Sequence, residues 1–224
     1  MTRTLVVTGG YGVLGRAMRE AALADGLDVA VIDHAAGPSA PDGVLELGGV
    51  DLTDAAAAEG AMAAVIDRFG RIDALLNVAG GFVWQPVDAE PPAWDRMFAL
   101  NLTTALNATR AALPALRRSP DGRIVNVGAS GALKAAAGMG PYAAAKSGVH
   151  RLTESLAEEL KSTSVTVNAV LPSILDTEQN RKDMPDADPA RWVRPADLAR
   201  VMLFLASPES RAVTGALIPV TGRV

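Results

Sequence analysis

Near its start the chain reads Leu5-Val6-Val7-Thr8-Gly9-Gly10-Tyr11-Gly12-Val13-Leu14-Gly15. The apolar run before the first glycine is typical of a buried strand, and the stretch from Arg16 to Ala24 has helical composition. We therefore predict a strand, a glycine turn and a helix. Glycines at positions 9, 12 and 15 allow the backbone to approach a pyrophosphate, whose charge then faces the helix N-terminus.

A second apolar run, Asp28–Ile32, ends at Asp33, about 20 residues beyond the glycine turn. A carboxylate at this point accepts hydrogen bonds from the hydroxyls of an adenosine ribose and repels a 2′-phosphate. We therefore expect NAD(H) rather than NADP(H) as the cofactor. The alternative is that Asp33 is an ordinary strand-end residue, but its distance from the glycine turn favours the cofactor interpretation.

Strands and helices alternate along the rest of the chain. Further strands are predicted at Val44–Leu47, Asp73–Gly81, Gly122–Val127, Val165–Val170 and Ala216–Val220. Between them we expect helices at Asp54–Phe69, Pro92–Ala112, around Tyr142 and at Asp197–Ala206, and a loop at Gly37–Gly43. This alternation predicts one α/β domain over residues 1–224, a Rossmann-type doubly wound parallel sheet of about seven strands with helices on both faces.

The composition limits the possible partners. The chain has 224 residues and a formal net charge of −4, and its basic residues are scattered, which argues against a nucleic-acid surface. Cysteine is absent, which removes disulfides and thiolate metal sites, and we predict no metal. No apolar run approaches the roughly 20 residues of a membrane span. We expect a cytoplasmic protein with a small-molecule substrate and no membrane partner.

Tyr142 and Lys146 are four residues apart, so on a helix they lie on the same face. A positive charge about 4 Å from a phenol provides about 4 kcal/mol at an effective dielectric near 20, enough to lower the pKa from about 10 to about 7. We therefore expect Lys146 to acidify Tyr142. The alternative is a helical pair with its lysine in water. We interpret His150, one turn further, as a partly exposed helix residue and not a base.

Two other segments have unusual composition. Asn101 lies within a predicted helix, where asparagine is mildly unfavourable and requires either solvent or a specific contact. Residues 173–195 are polar and rich in proline, and we predict that they form an irregular lid or substrate loop.

Together with Asp51-Leu52, Asn77-Val78-Ala79-Gly80 and Pro172 through Thr177, these residues make the chain resemble the short-chain dehydrogenase/reductase family over essentially its full length. The resemblance implies that Tyr142 transfers the substrate proton, that Lys146 lowers its pKa and binds the nicotinamide ribose, and that Asn101 helps to hold a water relay. It also implies a homodimer or homotetramer. The cofactor-binding residues that it implies are Gly9, Tyr11, Gly12, Val13, Leu14, Gly15, Asp33, Asp51, Leu52, Asn77, Ala79, Gly80, Tyr142, Lys146, Pro172, Leu175 and Thr177. Among these, Asp51 and Leu52 would contact adenine, and Leu175 and Thr177 would lie near the carboxamide.

The chain departs from most of this family at Ala129, where a serine usually holds the substrate oxygen, and in the spacing of its glycines. In both departures, and above all in the lid from Leu171 to Trp192, it resembles the dihydropteridine reductases, which use NADH. We therefore expect a quinonoid dihydropteridine or a similar flat, conjugated acceptor, whose reduction needs little oxyanion stabilisation. The expected lining of an aromatic slot is Trp84, Met139, Met184 and Trp192.

Two alternatives stay open. In the first, the substrate is a ketone or a secondary alcohol, and Ser130, next to Ala129, takes the place of the missing serine. In the second, the protein binds NAD(H) without turnover. The intact pair of Tyr142 and Lys146 argues against the second, because a binding module needs neither residue.

Overall fold

The computed structural model describes residues 2–37 and 43–224, so that residues 38–42 of the predicted loop lie outside the described residues. Its strands are β1 Thr4–Thr8, β2 Asp28–Ile32, β3 Val44–Leu47, β4 Ala74–Asn77, β5 Arg123–Val127, β6 Thr166–Pro172 and β7 Leu217–Val220. They form one parallel sheet in the order β3-β2-β1-β4-β5-β6-β7. The predicted fold class is confirmed.

The helices are α1 Val13–Ala24, α2 Ala55–Phe69, α3 Trp94–Phe98, α4 Thr104–Leu116, α5 Gly140–Glu159, α6 Glu178–Asp183 and α7 Pro195–Ala206. Helices α1 and α7 cover one face of the sheet, and α2, α4 and α5 cover the other. Alternate strand residues supply the two cores: Val6 packs toward α2 and α4, while Leu5 and Val7 pack toward α1 and α7. None of the helices in the described ranges is long and apolar enough to cross a membrane.

The helix predicted at Pro92–Ala112 is interrupted and extends further. A wider π-helical turn, Ala99–Thr103, separates α3 from α4, which continues to Leu116. Asn101 lies in this turn, and its side-chain amide donates to the carbonyl of Met97 at 3.1 Å. A side chain that competes for a backbone carbonyl disturbs the regular helical ladder, and the turn opens around it.

The predicted lid, residues 173–195, is more regular than expected. It contains α6, a short 3₁₀ turn at Pro189–Arg191 and an isolated bridge between Leu175 and Val193. Trp192 is only 6% exposed, so most of its side chain is packed in the protein interior. The prediction of an irregular segment was wrong at α6 and at the 3₁₀ turn, because short helices carry little hydrophobic periodicity. The role of residues 173–195 as a lid or substrate loop stays a prediction.

Candidate active site

The glycine turn after β1 brings the backbone of two strand ends into contact. Gly9 has a φ of +64°, and a Cβ at this position would lie 2.7 Å from the Cα of Ala79. The Oγ1 of Thr8 accepts hydrogen bonds from the backbone N–H groups of Val78 and Ala79, both at 3.1 Å. The ends of β1 and β4 are therefore joined, and the first turn of α1 lies over them.

A cavity of about 570 Å³ opens at this edge of the sheet. The predicted residues that line it are Gly9, Tyr11, Gly12, Val13, Leu14, Gly15, Asp33, Asp51, Leu52, Ala79, Gly80 and Leu175. The lining that we did not predict is His34, Ala35, Val50, Thr53, Val78, Leu100 and Thr104. Most of these are direct neighbours of predicted residues, so the rule that ligands bind at strand ends could have found them.

Asp33 is held in a fixed orientation at the cavity wall. One carboxylate oxygen accepts from the backbone N–H of Tyr11 at 2.8 Å, and the other accepts from that of Ala35 at 3.0 Å. Each carboxylate oxygen has a second lone pair, so both can accept a further hydrogen bond from a ligand hydroxyl.

Asp51 and Leu52 form another part of the wall. Asp51 accepts from the backbone N–H and the hydroxyl of Thr53, at 2.9 and 2.7 Å, and these hydrogen bonds lower the pKa of its carboxyl group. The side chain of Asn107 donates to the carbonyls of Leu52 and Thr53, each at 3.0 Å, a support that we did not predict. Asp54, not Asp51, caps α2.

Five of the predicted cofactor contacts are outside the lining of this cavity: Asn77, Tyr142, Lys146, Pro172 and Thr177. Asn77 is 3% exposed, and its amide donates to Thr109 and Asn126, so it ties β4 to α4 and β5 instead of facing the cavity. Pro172 ends β6, and the hydroxyl of Thr177 caps α6. An asparagine at the end of a buried strand resembles a ligand contact in sequence, but here neighbouring polar side chains take its hydrogen bonds.

Tyr142 and Lys146 lie one turn apart on α5 as predicted, but Lys146 is oriented differently. Its ammonium donates to the carbonyl of Val127, the last residue of β5, at 2.7 Å. Burial lowers the pKa of Lys146 to about 8 and raises the pKa of Tyr142 to about 12. In this structure the phenol is therefore a weaker acid than in water, contrary to our prediction, because desolvation disfavours its anion.

Asn101 is a fixed part of the site. It is 1% exposed; its amide donates to the carbonyl of Gly81 at 3.0 Å, and its Oδ1 accepts from the N–H of the same residue at 3.1 Å. A Cβ at Gly80 would lie 2.7 Å from this Oδ1 and 3.3 Å from the Nζ of Lys146. The amide and the ammonium therefore meet at Gly80, where a larger residue would not fit.

The position of the missing serine is occupied by a buried methyl group, since Ala129 is 4% exposed. The neighbouring hydroxyl of Ser130 donates to the carbonyl of Leu171 at 2.8 Å, across to β6. A hydroxyl has one proton to give. Ser130 therefore ties the segment after β5 to the end of β6 and, in this arrangement, has no proton left for a substrate oxygen.

Residues 3–188 match the family described as short chain dehydrogenase. The chain belongs to the short-chain dehydrogenase family. It is 30% identical to the D-beta-hydroxybutyrate dehydrogenase of Rhizobium meliloti (strain 1021), over 96% of this chain and 87% of that protein. It is 31% identical to the 3-oxoacyl-(acyl-carrier-protein) reductase MabA of Mycobacterium tuberculosis (strain ATCC 25618 / H37Rv), over 99% of this chain and 92% of that protein. A solved 3-ketoacyl-(acyl-carrier-protein) reductase from Brucella melitensis, complexed with NADH, superimposes with a TM-score of 0.87 at 25% identity, over 98% of this chain and 97% of that chain.

As a short-chain dehydrogenase the protein is an oxidoreductase that binds NAD(P)(H). The residues of the cavity fit such a dinucleotide. The N-terminal turn of α1 begins after Gly12 and presents unpaired N–H groups that suit a pyrophosphate. Asp33 offers lone pairs to ribose hydroxyls, and the close contact of Gly9 with Ala79 keeps the floor of the cavity free of side chains.

His150 was wrongly predicted to be partly exposed; it is 2% exposed. Its Nε2 accepts from the backbone N–H of Ala129 at 3.3 Å, so the ring is neutral with its proton on Nδ1. Burial, with Arg151 and Lys146 nearby, lowers the pKa of the imidazole. Because a Cβ at Gly128 would collide with the ring, only glycine allows His150 to reach the loop.

We expect His150→Leu to lower the free energy of unfolding by about 1–3 kcal/mol above pH 7, because the N–H of Ala129 loses its acceptor in a buried position. The lowered pKa means that the folded state disfavours a protonated ring. The contribution of wild-type His150 is therefore present above about pH 6.5 and is lost as the pH falls further.

Urea denaturation of both proteins, at neutral pH and at about pH 5, measures this difference. His34→Leu is the matched control, since His34 is exposed and should change the free energy by less than about 0.5 kcal/mol. Equal effects of the two substitutions would show that the contact between His150 and Ala129 contributes nothing.

Proposed function

We propose that this short-chain dehydrogenase interconverts a small-molecule ketone and the corresponding secondary alcohol with NAD(H). The observation that carries the proposal is the contact between α5 and the cavity wall: Lys146, one turn after Tyr142, places its Nζ 3.3 Å from where a Cβ of Gly80 would lie, and Gly80 lines the cavity. The relatives reported above are named for ketoacyl reduction and hydroxybutyrate oxidation. The homodimer or homotetramer implied by resemblance stays a prediction.

The roles of the residues follow from their protonation states. A bound nicotinamide dinucleotide supplies or takes up the hydride. The hydroxyl of Tyr142 gives its proton to the substrate oxygen during reduction and takes it back during oxidation. With a pKa of about 12, this phenol is protonated at neutral pH, which suits the acid of a reduction. Lys146, with a pKa of about 8, contributes its positive charge below that pH.

We expect Tyr142→Phe to lower kcat by about 100-fold or more, because the substitution removes the proton donor and leaves the ring. The dissociation constant of NADH should change little. Steady-state NADH oxidation with a ketone measures the first effect, and fluorescence titration with NADH measures the second. An unchanged kcat would exclude Tyr142 as the acid.

Asp33 supports the preference for NADH within this proposal. Its carboxylate lies at the cavity wall with both oxygens oriented by backbone N–H groups, so a 2′-phosphate would meet a fixed negative charge. His34 beside it is exposed.

We expect Asp33→Asn to lower the ratio of kcat/KM with NADH to kcat/KM with NADPH by about 10-fold or more, because the shape is kept and the repelling charge is removed. Asp67→Asn, on the exposed side of α2, is the control and should leave the ratio unchanged. If the ratio for Asp33→Asn equals that of the control, Asp33 does not select the cofactor.

A second candidate substrate is a quinonoid dihydropteridine or a similar flat, electron-poor acceptor. The observation that favours it concerns the two positions expected to hold the substrate oxygen: Ala129 is apolar, and Ser130 donates its proton to Leu171. None of the relatives named above is named for a pterin, so the ketone comes first. Stopped-flow oxidation of NADH by quinonoid dihydropterin tests this candidate, and a rate equal to the uncatalysed rate rejects it.

We expect Ala129→Ser to raise kcat for a ketone by about 10- to 100-fold, since it adds a hydroxyl donor where the structure holds a methyl group. Ser130→Ala should change kcat by less than about 3-fold, because its proton is already donated to a backbone carbonyl. The two variants are compared in the same NADH assay. A large loss in Ser130→Ala would show that this hydroxyl turns toward the substrate.

A further inference from the structure

Large apolar side chains are exposed on two segments near the start of α5, the helix that carries Tyr142. Phe82 is 54% exposed, Trp84 is 61% exposed, and Leu133 on the loop after β5 is 62% exposed. Val83, between the two aromatic residues, packs against the cluster of Ala93, Met97 and Ala145 that also contacts Tyr142. Successive side chains of this segment therefore alternate: Val83 packs against α3 and α5, while Phe82 and Trp84 on either side of it face solvent.

The segment that carries these aromatic residues is fixed on both sides. The indole N–H of Trp84 donates to the carbonyl of Ala137 at 3.0 Å, and the next backbone N–H, of Gln85, donates to Gly138 at 2.7 Å. The side chain of Gln85 accepts from the N–H of Ala93 at 2.7 Å. Gly138 has a φ of +73°, and a Cβ there would collide with the indole. A large apolar side chain that is held rigidly in solvent indicates a binding surface.

This apolar surface continues to the reacting group. The rings of Phe82 and Tyr142 contact each other edge to face, with centroids 5.0 Å apart and planes at 89°. A substrate whose oxygen meets the hydroxyl of Tyr142 therefore has the ring of Phe82 next to its own carbon atoms, and the indole of Trp84 lies two residues further along the same segment.

The surroundings provide little for a charged substrate. Residues 78–87 contain no Asp, Glu, Lys, Arg or His, and residues 127–145 contain Lys134 alone among these types. Each of the four cations of the lid has a partner within the described structure. The ion pairs are Arg181 with Asp176, Lys182 with Glu178 and Arg194 with Asp197, and Arg191 donates to the carbonyl of Arg223. Two lysines remain in or directly after residues 127–145: Lys134, which is exposed, and Lys146, which is buried and donates to Val127. An ion pair with an exposed lysine contributes little, so the desolvation of a carboxylate or a phosphate on the substrate would be poorly offset.

We infer that the substrate is an uncharged ketone whose carbonyl is attached to an aromatic or conjugated ring, and that this ring binds on Phe82 and Trp84. The inference rests on the proposed function and names its substrate class. Phe82 and Trp84 are then the residues that determine specificity, while Tyr142 performs the proton transfer.

The test compares three ketones with NADH and the full-length protein: acetophenone, which carries a ring; 2-butanone, which is uncharged and small; and acetoacetate, which is small and charged. The value of kcat/KM for acetophenone should exceed that for each of the others by about 10-fold or more, the gain expected for burying one ring. Trp84→Ala should lower kcat/KM for acetophenone by about 10-fold and for 2-butanone by less than about 3-fold. Phe204→Ala, which removes an exposed aromatic side chain from α7, is the matched control and should change neither.

Three results separate the inference from the proposed function. Reduction of all three ketones with equal kcat/KM, or a preference for acetoacetate, overturns the inference and leaves the proposed function standing. Equal losses for acetophenone and 2-butanone in Trp84→Ala also overturn it. No turnover of any ketone rejects the proposed function, and the inference with it. If Trp84→Ala does not fold, Phe82→Leu provides the same comparison, because leucine keeps the packing and removes the ring.

Discussion

The site depends on one hydrogen bond, from the ammonium of Lys146 to the carbonyl of Val127 at 2.7 Å. Lys146 is 4% exposed, so a charged group is held in a place where water cannot solvate it. The desolvation is reflected in its pKa, which burial lowers to about 8. This contact ties the middle of α5 to the end of β5, and it thereby fixes Tyr142, one turn earlier on the same helix.

The space around this contact is so crowded that two nearby positions have room for glycine alone. Gly80 leaves room for both the Nζ of Lys146 and the Oδ1 of Asn101, and Gly128 leaves room for the ring of His150. Two successive turns of α5 are therefore hydrogen-bonded to the backbone at the end of β5: Lys146 donates to the carbonyl of Val127, and His150 accepts from the N–H of Ala129. The π turn around Asn101 belongs to the same arrangement, because it lets an amide reach Gly81 from the neighbouring helix. A glycine at a strand end thus serves the packing of buried polar groups as well as the approach of a ligand.

The fold could be predicted from the sequence because each buried strand is a short apolar run and each turn has its own glycine or proline. The wall of the cofactor cavity was also predictable, since Asp33 and the glycine turn are local in sequence and their roles follow from spacing. The directions in which the polar side chains point could not be predicted from the sequence. The hydroxyl of Ser130 donates a hydrogen bond to the carbonyl of Leu171, which lies on β6, and the amide of Asn77 donates to Thr109 and Asn126. These partners are more than 30 residues away, and only the folded chain brings them together.

The shifted pKa values of Tyr142 and Lys146 have a common cause. Burial disfavours the charged form of each group, so the ammonium of Lys146 becomes a stronger acid and the phenol of Tyr142 a weaker one. A neutral phenol in apolar surroundings is a stable proton donor, whereas its anion needs a nearby positive charge. Phe82, against the ring of Tyr142, and the cluster of Ala93, Met97 and Ala145 keep the surroundings apolar. The same desolvation strengthens the effect of any charge that approaches the phenol, because electrostatic energies grow as the local dielectric falls. In the proposed function, the phenol of Tyr142 therefore keeps its proton until a bound substrate and cofactor bring charge close to it.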